Sequence, residues 1–225
     1  MKINKYPVFL LLALFIVSCE CPPNLDTEKD FVPEYFSFMN FINITGSNSD
    51  CDIYTSNLKV ISNCKNLDTT IRKFEKFPSG LNNFRIQSES EILLNTILST
   101  KQNKYYSLIF YKKASYLDYL LIEEEIDLSL NSSFLRFANF SEMKSLKITI
   151  KSNQIQGIEI ILPVNMASLP LVFPSKSINI EIVNAETGEI IQQISEYSIL
   201  SNGIEYCLIV GDKISNKAIF SKVSF

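Results

Sequence analysis

Two short blocks recur in the same order at nearly the same distance, and this recurrence limits the fold more than any other feature. Phe36-Ser37-Phe38-Met39-Asn40-Phe41 matches Leu135-Arg136-Phe137-Ala138-Asn139-Phe140, and Tyr106-Ser107-Leu108-Ile109 matches Tyr206-Cys207-Leu208-Ile209. The offsets are 99 and 100 residues. Two tandem units are expected, over residues 34–127 and 134–225, with a seam in the Ser/Asn stretch 128–133. Each would hold roughly six or seven short strands, the size of a β-sandwich of the immunoglobulin-like or transthyretin-like kind.

The hydropathy pattern supports strands. Leu146 to Lys151 and Ile178 to Val183 alternate apolar and polar residues cleanly, and residues 36–41 and 135–140 do so at most positions. Period-two alternation places one face on a core and the other in water. Ala185-Glu186-Thr187-Gly188-Glu189 supplies a turn, and Ile190 to Ile194 returns as the second arm of a hairpin. Tyr105–Tyr111 and Glu205–Val210 are more apolar, as central strands are. The best helical candidate is Ser115 to Glu125, whose Tyr and Leu content suits a strand equally well.

The N-terminus has a different logic. Lys2 and Lys5 precede an apolar run from Val8 to Val17, closed by Ser18-Cys19. The run is too short to span a bilayer and has the plan of a secretory signal. Ile16-Val17-Ser18-Cys19 resembles the lipobox of bacterial lipoproteins. That resemblance implies cleavage between Ser18 and Cys19, residues 1–18 being the signal peptide, and fatty-acyl chains on Cys19. Two or more chains anchor a protein stably where one does not. Residues 19–33 then form the lipidated tether, whose polar stretch 20–32 carries a Pro pair and reads as a flexible spacer. The setting expected is the cell envelope, with the outer membrane favoured and the membrane itself the first partner.

Charge and composition exclude several functions. Lys and Arg number 21 against 24 Asp and Glu, so no basic face points to nucleic acid. The chain has no His, which removes the usual proton shuttle and the Ser-His-Asp and Cys-His systems. It also has no Gly-rich phosphate loop. A zinc site lacks both histidine and CxxC spacing. No metal or other cofactor is expected.

The second unit carries a further resemblance. Leu135-Arg136-Phe137-Ala138-Asn139, Leu146-Lys147-Ile148-Thr149-Ile150 and the closing Gly203-Ile204-Glu205-Tyr206 through Gly211 resemble an uncharacterised repeat family of bacterial envelope lipoproteins, often in tandem. The resemblance implies a sandwich fold and an envelope setting, and carries no catalytic residue. The first unit departs from it, with Asn103 in place of Gly203 and Tyr111 in place of Gly211. A structural role accounts for the shared residues: Gly203 suits a turn needing positive φ, and Tyr106 and Tyr206 suit a brace like the tyrosine corner.

With Cys19 lipidated, four cysteines remain. Cys51 and Cys64 flank a plausible hairpin and are the expected disulfide; Cys207 reads as a buried thiol and Cys21 as free or intermolecular. Glu123-Glu124-Glu125 with Asp127 is the densest acidic run, expected as a solvated edge between units, with carboxylate glycoside hydrolysis as the alternative. Tyr105, Tyr106, Tyr111, Tyr116 and Tyr119 read as packing residues ahead of a sugar-stacking surface. The function expected is a non-catalytic binding, adhesion or scaffold module contacting an envelope protein or glycan. The alternative is an inward-facing structural or assembly accessory.

Overall fold

The computed structural model describes residues 35–46, 50–89, 91–113, 115–125, 133–152, 157–173, 177–199, 203–211 and 216–224. The expected signal peptide and tether, with Ser18, Cys19 and Cys21, lie outside the described residues, as does Asp127. The described chain is all-β. The first half contains β1 (Phe36–Ile44), β2 (Cys51–Thr55), β3 (Leu58–Cys64), β4 (Ile71–Lys73), β5 (Glu75–Pro78), β6 (Gly80–Ser88), β7 (Glu91–Thr100), β8 (Tyr105–Lys113) and β9 (Tyr116–Glu124). The second contains β10 (Ser133–Ser141), β11 (Ser145–Lys151), β12 (Ile158–Pro163), β13 (Met166–Ala167), β14 (Leu171–Phe173), β15 (Ser177–Asn184), β16 (Ile190–Ser198), β17 (Gly203–Gly211) and β18 (Asn216–Ser224). The helical candidate at 115–125 is therefore strand β9.

Sheet order repeats across the two halves. The first half builds sheets β5-β1-β8-β9 and β3-β2-β6-β7; the second builds β13-β10-β17-β18, with β14 also on β10, and β12-β11-β15-β16. In each half the first strand runs parallel to the penultimate one, β1 with β8 and β10 with β17. Immunoglobulin domains instead place strands A, B, E and D in one sheet. The first strand here pairs with neither the second strand nor its sheet, so the immunoglobulin order is not the one adopted.

Each half has its own core, and a third core lies between them. Phe41, Ile53, Phe84, Ile86, Leu108 and Phe110 fill the first sandwich. Leu135, Phe137, Ile148, Ile180, Ile182 and Ile209 fill the second. Ile42, Ile44, Ile109, Phe134, Ile204 and Leu208 join the outer faces of the β1 and β10 sheets. Strands β11 and β15 therefore alternate buried and open positions, as their sequences predict, whereas β1, β8, β10 and β17 are buried on both faces. Expecting one wet face on 36–41 and 135–140 fails because a second sheet covers it.

One strand also crosses between the halves. The 65–74 connection follows β3, and its β4 adds in parallel to β18, Lys222 to Ser224 facing Ile71 to Lys73. Ser224 Oγ donates to the Arg72 carbonyl. Three residues of the expected first unit thus complete a sheet of the second, which is one reason why Pro33–Phe225 form a single compact unit. The connection is held at its root by a bridge between Asn43 and Asn66 and by an Arg72–Asp68 ion pair of 2.9 Å.

Polar groups are trapped at the interface. Arg136 pairs with Glu124 at 2.9 Å, both nearly fully buried, and donates to the Ser168 carbonyl. Both amide atoms of Asn40, the Tyr206 hydroxyl and the Ser221 hydroxyl are buried with no partner among the described residues. An orphaned buried group costs about 1–3 kcal/mol. Each large apolar side chain there contributes ~1.5–3 kcal/mol, and six of them meet across the interface. Removing one member of a buried pair is another matter, because it strands the other. Arg136→Ala is expected to lower unfolding stability by about 3–5 kcal/mol in urea titration, and Glu124→Leu with Arg136→Met to recover most of the loss.

Candidate functional site

The two repeated motifs do not occupy equivalent places. On β8 the residues facing the sandwich core are Tyr106, Leu108 and Phe110; on β17 the residues facing its core include Cys207 and Ile209, while Tyr206 and Leu208 face the other half. Tyr106 therefore corresponds to Glu205, not Tyr206. On the first strands the core-facing sets are Met39, Phe41 and Asn43 against Leu135, Phe137 and Asn139. The structural offsets are thus 96 and 99 residues, where the motif offsets are 99 and 100. A shift of one reverses the face of every side chain.

Asn43 and Asn139 show the true correspondence. Asn43 Oδ1 accepts from the Thr45 amide and hydroxyl, and its Nδ2 donates to the Cys64 carbonyl at 3.0 Å. Asn139 Oδ1 accepts from the Ser141 amide and hydroxyl, and its Nδ2 donates to the Leu162 carbonyl at 3.2 Å. In both halves one asparagine ties the end of the first strand to the end of the third.

The tyrosine reading divides accordingly. The Lys101 amide donates to Tyr106 Oη at 3.0 Å, bracing the turn before β8 as a tyrosine corner would. Tyr206 makes no such bond. At the same end of the second sandwich the brace is Tyr197, whose hydroxyl donates to the fully buried Glu205 at 2.6 Å, with Lys222 3.7 Å from that carboxylate. Gly203 stands at the first rung of β17, between Ser133 and Ser224, rather than in the turn. Gly211 closes that strand at φ 139°, a conformation that favours glycine.

The remaining candidates separate in space. Glu123 is held by Lys101 at 2.9 Å and by Lys104, and the Lys101 bond keeps its carboxyl below the usual range. Glu124 points to the opposite face of β9, where burial pushes its carboxyl up against the opposing pull of Arg136. Adjacent strand residues on opposite faces cannot flank one glycosidic bond. Glu124 is also no solvated edge residue, contrary to expectation, because the second half covers it. Among the five tyrosines, Tyr105 stacks on Phe38, Tyr111 lies against Phe140, Tyr106 and Tyr119 pack in or against the first core, and only Tyr116 is exposed. They form no common surface. Cys51 and Cys64 face each other across the β2–β3 ladder, both buried; Cys207 is a fully buried thiol. Among the described residues no three His, Cys, Asp or Glu side chains converge as metal ligands, and no helix is long and apolar enough to cross a membrane.

What sequence reasoning missed is an apolar groove on the second sandwich. It has a volume of about 430 Å³ and runs along the open side where β12 meets β13 and β14. Ile158, Ile160, Ile161, Met166, Leu169 and Leu171 line it, and no aromatic ring does. Leu169 is 82% exposed and Ile161 61%, with Met166 and Val172 beside them more than half exposed. The signal available was Met166-Ala167-Ser168-Leu169-Pro170-Leu171, an apolar run between strands. In the first sandwich the same sector is covered by the 65–74 connection. Its pocket of about 290 Å³ is lined by Lys65, Asp68, Arg72, Lys73 and Glu75 among others. The second sandwich replaces that connection with Val164-Asn165, leaving the groove uncovered.

No family model matches this chain, and no curated protein matches it. The structural assignment of Tyr206 leads to a direct expectation: Tyr206→Phe removes only an orphaned hydroxyl, so urea unfolding should show no loss of stability, while Tyr106→Phe should cost about 1 kcal/mol.

Proposed function

We propose that this chain is a lipid-anchored, non-catalytic binding module of a bacterial cell envelope. Cys19 holds it at the membrane, the outer membrane by preference, and the second sandwich engages a protein partner. The observation that carries this reading is the uncovered groove around Leu169. Exposed contiguous apolar side chains mark interaction surfaces. A groove lined by Ile, Leu and Met without an aromatic platform suits an apolar protein surface better than a sugar ring. The lipobox-like Ile16-Val17-Ser18-Cys19 and the resemblance of 134–225 to envelope lipoprotein repeats supply the setting.

Two experiments test the two halves of the proposal. Cys19→Ala should abolish metabolic fatty-acid labelling and release the protein from membranes; a variant that stays bound without label contradicts the anchor. A photo-crosslinking amino acid at Leu169 should give discrete protein adducts in the intact cell. The same residue at Leu81, equally exposed on the first sandwich, should not. Equal or absent adducts at both positions contradict the groove as the binding face. Adducts that disappear with Leu169→Asp, at unchanged thermal stability, support it.

A further inference from the structure

The first sandwich has a feature that the second lacks, and it sits at the root of the segment that crosses between them. Cys51 opens β2 and Cys64 closes β3, and the two are direct partners in the antiparallel ladder. Direct partners have Cα atoms about 4.5–5.5 Å apart, inside the range a disulfide requires. Both side chains are buried in the first core. Asn43 fixes the local backbone, with its Nδ2 on the Cys64 carbonyl and 3.7 Å from Cys51 Sγ. Immediately after Cys64 the chain leaves the sandwich as the 65–74 connection, whose β4 joins β18.

The duplicated half is an internal control. Its β11–β12 ladder places Leu146 opposite Leu162 at the same rung, both buried, with the Asn139 amide on the Leu162 carbonyl as the Asn43 amide is on that of Cys64. The fold therefore does not need a cysteine pair there. The halves differ in the connection that leaves this rung: a ten-residue crossing segment after Cys64, and only Pro163-Val164-Asn165 between Leu162 and β13. The cysteine pair accompanies the long connection.

We infer that Cys51 and Cys64 form a structural disulfide that clamps the base of the crossing segment. The two thiols lose two protons and two electrons as the S–S bond forms. The acceptor is a disulfide-bearing oxidant, whose own S–S bond breaks to leave two thiols. Burial pushes the Cys64 thiol up to about 11 despite the nearby Arg72 guanidinium, so little thiolate is available to attack from the folded hairpin. An oxidising compartment follows from the export proposed above; the ladder geometry stands independently of it.

Peptide mapping after alkylation separates the two. In membranes from producing cells, trapped with N-ethylmaleimide, the peptides of Cys51 and Cys64 should be linked, with Cys207 recovered as a thiol. Reduced purified protein refolded with oxidised glutathione should give the same link. A link in vitro but not in cells supports the site and counts against export. No link in either overturns the disulfide. The clamping role has its own readout. Cys51→Ser with Cys64→Ser should raise hydrogen exchange at 71–73 and 222–224 by about tenfold or more, relative to β11 and β15. Unchanged exchange there, in a variant that folds, overturns the clamp.

Discussion

The fold depends on the packing of one sheet's outer face against another's. A sandwich ordinarily leaves both outer faces to water. Here the β1–β8 sheet and the β10–β17 sheet press those faces together through Ile42, Ile109, Phe134, Ile204 and Leu208, and the layers become four. This explains why four strands are buried on both sides, why Arg136 and Glu124 are paired out of water, and why Asn40 and Tyr206 keep polar atoms without partners. The short strand β4 fastens the same contact at its margin. The halves thus repeat one sheet order yet form one compact unit.

That dependence also sets what the sequence could reveal. Strands with one wet face were legible: 146–151 and 178–183 alternate because water holds every second residue polar, and the 185–189 turn falls between β15 and β16 as expected. The rungs facing Cys51 and Cys64 were legible as hairpin ends. Strands buried on both faces were legible as strands but not in register. Tyr-x-Leu-Ile fits either face when both are apolar, so an identical motif settled one residue out of step in the two halves. Asn43, which does the work of Asn139, shares with it a Phe two residues earlier (Phe41, Phe137) and a hydroxyl residue two later (Thr45, Ser141), a fainter match than the Phe-x-Asn-Phe around Asn40. The crossing of β4 had no local signal, since three residues are too few for a period to show.

The two halves differ where the third strand ends. In the first half the connection after the third strand is long, charged and folded back as a cover. In the second half it is a turn, and the apolar sector beneath is open around Ile161, Met166 and Leu169. The proposed lipid-anchored binding role rests on that open sector together with the residues around Cys19.

Differential scanning calorimetry of residues 33–225 tests the central claim, that the shared face makes the two sandwiches one cooperative body. Two-state unfolding requires the calorimetric and van't Hoff enthalpies to agree. The account predicts one transition with a ratio near one. Two resolved transitions, or a ratio near two, would show that the halves unfold independently and that the interface carries little of the stability assigned to it.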